Sequence, residues 1–353
     1  YSAILLIILG VEQFGIPLLF LSSIGQDTLT TYLYKLQSIS ITPPYGAQAT
    51  IASILIYTTI SLVILQRYLT MRLSRRYAVI SSRVRGIRFF EVSQRTRIII
   101  TLLTLIYLIF VVIIPLISIL IRSLGVAYGF SFSFSLENYT ILFSSEYHRD
   151  LILRTFLIAT LSATLGVFVY TGYSIDIVKG SSKNLSRYFE LATSLPRSIP
   201  SIVLGLAFLW LYLFTPLRVL IATPLALSIA YVVAYSLVST RPILSTLSQI
   251  SPELEETARI HGATRSVVVR RIILPLIKRS LVISWLITFA YSLRDYSIAI
   301  FISFPQTFVV GAYLVFAYGS GEMAMISTIS SIIITVSFVI SFILFRIGWR
   351  PYG

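Results

Sequence analysis

Charged residues are sparse along this chain and fall in clusters, and the stretches between the clusters are long and apolar. Six charge-free runs reach the roughly 20 residues that a membrane-spanning helix needs: residues 47–66, 98–121, 155–175, 198–217, 219–240 and 323–345. Two more reach that length around embedded charges, residues 2–22 around Glu12 and residues 281–302 around Arg294 and Asp295. The pattern predicts an all-α integral membrane protein of about eight transmembrane helices.

Composition agrees. Apolar types make up 56% of the 353 residues and the mean hydropathy is +0.89, more than a soluble fold of this size can hide. The net charge of +15 would suit nucleic acid if it were spread over one soluble face. It is distributed by loop instead. Assigning alternate loops to alternate sides puts twenty-one Lys and Arg in residues 67–97, 176–190, 241–280 and 346–353. The opposite loops hold five: Lys35, Arg122, Arg149, Arg154 and Arg218. This is the positive-inside bias, so the basic loops and the C-terminus are expected in the cytoplasm, and no nucleic-acid partner is needed. Each basic group gains about 1 kcal/mol beside an anionic leaflet. The chain has no cysteine, which excludes disulfides and thiolate chemistry. His148 and His261 are expected as polar loop residues, one outside and one inside, and not as metal ligands. The chain begins with Tyr1 and no basic stretch precedes its first apolar run, so that run does not read as a signal peptide and the chain is expected to be a fragment.

Residues 67–97 form a basic linker, with two predicted helices before it and six after. The short front block (1–66) resembles the end of the long one (98–353). In the pairing of 45–65 with 320–340, Gly46, Ala49, Ile51 and Ser53 fall opposite Gly321, Ala324, Ile326 and Thr328. Upstream, "EQFGIPLLF" (12–20) lies opposite "RDYSIAIFI" (294–302), each with an embedded charge. The expectation is a tandem repeat whose first copy is represented by its last two helices.

One polar interruption is neither spanning nor loop-like. Ser251-Pro252-Glu253 is a helix start, with an N-cap serine, proline at the first position and acids in the first turn. Glu255 and Arg259 form an i,i+4 pair, and Gly262 supplies a left-handed stop. A short helix over 252–261 is expected, with Leu254, Ala258 and His261 on one face. A turn and a basic helical segment then lead to Leu274-Pro275. A helix lying on the headgroups would account for Arg265, Arg270, Arg271, Lys278 and Arg279 but not for Glu253, Glu255 and Glu256. A helix projecting into a soluble partner accounts for both.

The spacing Glu256-Thr257-Ala258, three residues, Gly262, nine residues, Ile272-x-Leu274-Pro275 resembles the EAA loop of ATP-binding-cassette (ABC) importer permeases. Thr257 stands where that family usually has alanine, and Val269 where an aromatic is common. The resemblance extends over residues 98–353 and includes "LPRSIPSIVLGLAFLW" (195–210). It implies a type I importer permease fold, with a complete six-helix second unit after a truncated first. It also implies that loop 241–280 couples to a cytoplasmic ABC ATPase dimer through Glu255, Glu256, Ala258, Arg259, Gly262, Ile272, Leu274 and Pro275. An extracellular or periplasmic solute-binding protein would deliver substrate. Fused double permeases of this kind are typical of the ferric-iron branch and its thiamine and aminoalkylphosphonate relatives, and "SLRDYSIAIFI" (292–302) resembles the iron branch. Ferric iron, thiamine or another small solute is the implied substrate.

Charges inside spans are costly and point to function. Adjacent Arg294 and Asp295 on a helix would each need a partner. Glu12, at the repeat-equivalent place, is expected either to pair with Arg294 as a gate or to snorkel with it at the outer boundary. Arg197, between Pro196 and Pro200, lies either on the pathway or at the cytoplasmic interface. Ser297, in the same iron-like stretch, completes the pathway set. No Gly-x-x-x-x-Gly-Lys-Ser/Thr stretch occurs, so ATP is expected on a partner subunit and no cofactor on this chain. A gradient-driven secondary transporter is the alternative, and it leaves the loop helix unexplained. An enzyme lacks any acid–base or metal constellation.

Overall fold

The computed structural model describes residues 2–38, 43–77, 93–128, 131–180 and 183–349. Most of the basic linker, 78–92, and the last four residues lie outside the described residues. The front block comprises α1 (Ser2–Val11), α2 (Gly15–Phe20), α3 (Leu29–Ser38) and α4 (Tyr45–Tyr77). After the linker come α5 (Gln94–Ser123), a two-stranded antiparallel hairpin of β1 (Gly125–Tyr128) and β2 (Ser131–Phe134), α6 (Glu137–Ser144) and α7 (Glu146–Lys179). Then follow α8 (Lys183–Ser194), α9 (Ser201–Phe214), α10 (Pro224–Ala234), α11 (Ser236–Leu247) and α12 (Pro252–Ile260). The chain closes with α13 (Arg265–Leu293), α14 (Ala299–Ile302), α15 (Val310–Gly319) and α16 (Met323–Trp349). Apart from the hairpin, the described elements are helical.

Five of these helices, α4, α5, α7, α13 and α16, are long and apolar enough to cross a membrane, and up to seven spans result if two bent pairs each count as one. This corrects the expected eight spans to five to seven among the described residues. The run 198–217 bends by 111° between a helix over Asn184–Ser198 and α9. Pro196 and Pro200 cause this bend: Ile199, preceding a proline, is driven to an extended ψ of 126°. The run 219–240 bends by 58° between α10 and α11 at Tyr235. The run 2–22 breaks after Val11, and the run 281–302 ends its long helix at Leu293. Arg294 and Asp295 are therefore in a break, not on a helix. Two long helices also carry a π-turn, Ile109–Ile113 and Val269–Ile273, each just before a proline, Pro115 and Pro275. Proline has no N–H to give the preceding turn, and the ladder widens to absorb the loss.

Helix α7 is the central post, packed against α10, α11 and α13. At the far end from the basic loops, His148 sits in its first turn rather than in a loop. Its Nε2 lies 3.3 Å from the Tyr313 hydroxyl, which donates to Glu322 (2.7 Å). One buried cluster joins the front block (Phe14, Leu33, Leu55) to α9, α10 and α14. A second binds α7, α13, α15 and α16, and a third gathers Tyr170, Leu247, Val268 and Ile273 beneath the loop helix. The front block and the chain's end share one element order: helix, charged break, short helix, a ten-residue helix, long helix.

Candidate functional site

The four interruptions meet at one place. A cavity of about 430 Å³ is lined by Glu12 from the α1–α2 break and Arg197 from the turn Leu195–Ser198. Tyr235, from the α10–α11 bend, and Arg294 and Asp295, from the α13–α14 break, complete its polar wall. Unravelled backbone inside a membrane is tolerated where it lines a cavity, because the freed amides and carbonyls find partners there. Each break is also consistent with its own charges. Asp295 caps α14, its Oδ1 accepting from the backbone N–H groups of Ile298 (3.0 Å) and Ala299 (3.1 Å). Its Oδ2 accepts from the Tyr235 hydroxyl at 2.8 Å. Arg294 stands at the C-terminal end of α13, where a cation suits the helix dipole, with its guanidinium 4.6 Å from the Tyr291 ring centre.

Glu12 pairs with Arg197, Nη1 to Oε2 at 3.0 Å, and not with Arg294. Of the two expectations for Glu12, the pair with Arg294 is corrected by the bend between α8 and α9, which brings Arg197 to the break that holds Glu12. Arg197 also lines a second cleft with Gln66 and Arg67 at the basic end of α4, so the ion pair stands between cleft and cavity. The other Glu12 oxygen, Oε1, is buried without a protein partner among the described residues. Ser297 is half-buried and does not line the cavity.

Glycines hold the α13–α14 break in place. A Cβ on Gly311 would run into the Asp295 carbonyl, and one on Gly205 would stand 2.9 Å from the Ile298 Cα. Backbone from α9 and α15 thus approaches the break more closely than any side chain allows.

The loop helix forms as its sequence predicts. The Ser251 hydroxyl accepts from the Glu253 N–H (3.3 Å), and Gly262 has φ +81°. Its charges are used differently from expectation. Glu255 is buried, and its main partner is Lys179 at the end of α7 (2.8 Å), whose Nζ also donates to the Ile250 carbonyl (3.0 Å). The expected i,i+4 pair with Arg259 also forms, longer at 3.8 Å and with the Arg259 side chain exposed. Arg265 reaches Asp176, also on α7, at 3.1 Å. Two ion pairs therefore clamp the loop to the central post. Ala258 packs half-buried against the third cluster, whereas Leu254 and His261 point outward, so the expected common face is divided. Glu256, Arg259 and Gly262 are exposed, as is Ile260 at 82%. Ile272, Leu274 and Pro275 lie in and after the π-turn, away from this exposed face.

Sequence reasoning missed Lys179, Asp176, Tyr235 and Ile260. Lys179 and Asp176 carried a signal only as charges ending an apolar run. An exposed isoleucine on a polar helix was visible but carried no meaning until its exposure was known.

The sequence matches the family of binding-protein-dependent transport system inner membrane components over residues 164–348, more than half of the chain. It is 27% identical over 191 residues to the putrescine transport system permease protein PotI of Escherichia coli K12, covering 53% of this chain and 67% of that one, and equally to PotI of strain CFT073. Among solved structures, a bacterial alginate ABC transporter in complex with alginate pentasaccharide-bound periplasmic protein superposes with TM-score 0.58 at 19% identity, over 72% of this chain and 94% of that one. A bacterial ABC transporter involved in the import of alginate gives 0.57 at 20%, over 73% and 97%.

Proposed function

This chain belongs to the family of binding-protein-dependent transport system inner membrane components, and from that premise we propose how its residues divide the work of import. It is a multi-pass inner-membrane permease subunit of an ABC importer, a transport subunit without catalysis of its own. Membership of a binding-protein-dependent family displaces the gradient-driven alternative, and it implies an ATPase and a periplasmic binding protein as partners.

In our reading the cavity between the four breaks is the substrate pathway, and Glu12–Arg197 is its gate towards the basic side. The convergence of Glu12, Arg197, Tyr235 and Asp295 on that one cavity carries the proposal. Its volume lies within the range of small-ligand pockets, roughly 300–1,000 Å³, and supports a small solute. The ferric-iron and thiamine expectations gain no support from these relatives, whose names carry putrescine and alginate. The exposed face of α12, with Glu253, Glu256, Ile260 and Gly262, docks into the ATPase dimer, which alone binds ATP. Glu255 and Arg265 pass its movement to α7. The shared element order supports reading 1–66 as the last helices of a first permease unit and 98–353 as a second. The basic loops and the C-terminus then lie in the cytoplasm.

The test starts from the permease copurified with the host's ABC ATPases in mild detergent. Ile260→Arg, at a helical position 82% exposed on that face, should release the ATPase without lowering the permease's yield. ATPase retained by the variant, or absent from both proteins, sinks the docking assignment.

A further inference from the structure

We infer that the basic ends of α13 and α16 form a binding site for one anionic phospholipid. The groove between these helices encloses about 520 Å³. Lys278 and Arg279 from α13 and Arg346 from α16 line it together with the apolar Val282, Phe342, Ile343 and Ile347. The two helices run in opposite senses, so the order of residues has a spatial meaning. Along α13 the cations come one turn before Val282. Along α16 Arg346 comes one turn after Phe342 and Ile343. Both helices therefore place cations at one level and apolar side chains about 5 Å further along their axes. A headgroup phosphate and its acyl chains present that same order of charge and grease.

The charge is also unspent. Lys278, Arg279 and Arg346 are exposed and make none of the six ion pairs found among the described residues. No carboxylate among the described residues lines the groove. Among the described residues the aromatic partner of Arg346 is the Phe342 ring, 5.3 Å from its guanidinium carbon, and this contact holds the cation over the groove. Three adjacent cations repel one another until an anion sits between them, and a phosphodiester accepts hydrogen bonds from all three. Basic pockets between spanning helices on the cytoplasmic side are where phospholipid headgroups bind. The apolar wall selects a lipid over a free phosphate, which would leave Val282, Phe342 and Ile343 uncovered.

The positive-inside bias explains why basic residues lie on this side. It does not explain why three of them share one groove with an apolar floor. This assignment is independent of what the permease transports.

The experiment is native mass spectrometry of the full chain in mild detergent, titrated with palmitoyl-oleoyl phosphatidylglycerol or with phosphatidylcholine of the same chains. Phosphatidylglycerol should bind at least tenfold tighter, with one copy retained. Each cation is worth on the order of fivefold in affinity near an anionic group, so K278Q/R279Q/R346Q should weaken phosphatidylglycerol at least thirtyfold. The control R95Q/R97Q/R187Q removes the same charge elsewhere on the basic side and should leave binding within twofold. If the first triple variant cannot be purified, Arg346→Gln alone should cost about fivefold, and no loss there overturns the site. Equal retention of the two lipids, or equal loss in both triple variants, reduces the cations to an orientation signal. Displacement of the lipid by millimolar inorganic phosphate makes it a site for a soluble anion and overturns the lipid assignment.

Discussion

Glu12 uses one carboxylate oxygen on Arg197 and leaves the other buried, while Arg197 remains 41% exposed on its side chain. Such a pair is easily opened, since water already reaches one partner. Glu12→Gln or Arg197→Gln should lower stability by about 1–2 kcal/mol, less than for a fully buried pair, and should abolish substrate-dependent uptake. The swap E12R/R197E should restore part of the uptake. Uptake unaffected by either single change would remove the pair from the pathway. Glu255 and Lys179 form the opposite kind of contact, with 11% and 13% of their side chains exposed. Lys179→Met strands a buried carboxylate and should cost roughly 3 kcal/mol, read as a lower melting temperature of the purified permease. K179M/E255M should recover most of that loss while leaving transport poorly coupled to ATP hydrolysis. A double variant with normal coupling would make the clamp merely structural.

At the scale of elements, the breaks were partly legible. Pro196, Pro200, Pro115 and Pro275 announce where a helical ladder must change, because each removes a donor at a known place. Embedded charges marked the α1–α2 and α13–α14 breaks, whereas no proline or charge marked the bend at Tyr235. What hid the breaks is that hydropathy is blind to direction: 198–217 is as apolar as a straight span, yet turns through 111° at its start. The α13–α14 break depends on backbone packed from α9 and α15. Gly311→Ala should therefore fail to give a folded permease, because its Cβ meets the Asp295 carbonyl. Gly205→Ala should fold with a loss of about 1–3 kcal/mol, the usual range for overpacking. The yield of folded protein in detergent measures the first and thermal unfolding the second, and wild-type yield and stability in Gly311→Ala would refute the close approach.

At the scale of the whole molecule, the charges sort by side. The clamps of Asp176, Lys179, Glu255 and Arg265 gather at one end of α7, and His148, Tyr313 and Glu322 at the other. Because the chain has no cysteine, single cysteines can be introduced without first removing any. Ser266→Cys, in the basic loop, should resist a membrane-impermeant maleimide on intact cells, and Ser144→Cys and Ser320→Cys should react. The reverse pattern would invert the topology and place the C-terminus outside.

Sequence alone determined that the chain is a helical membrane protein, that strongly basic loops alternate with loops of few cations, and where its loop helix starts and stops. These are local or additive properties: a run of apolar residues, a count of cations, a serine, a proline and a glycine at fixed spacing. The identity of the ion pairs was decided only in three dimensions. Glu12 has Arg197 as its partner, 185 residues away, because a helix bends there. Glu255 turns inward to Lys179 because the loop helix packs on the end of α7. Pairing between distant charges depends on the angles at which helices break and cross. Those angles are set by packing against the other helices, which no single stretch of sequence contains.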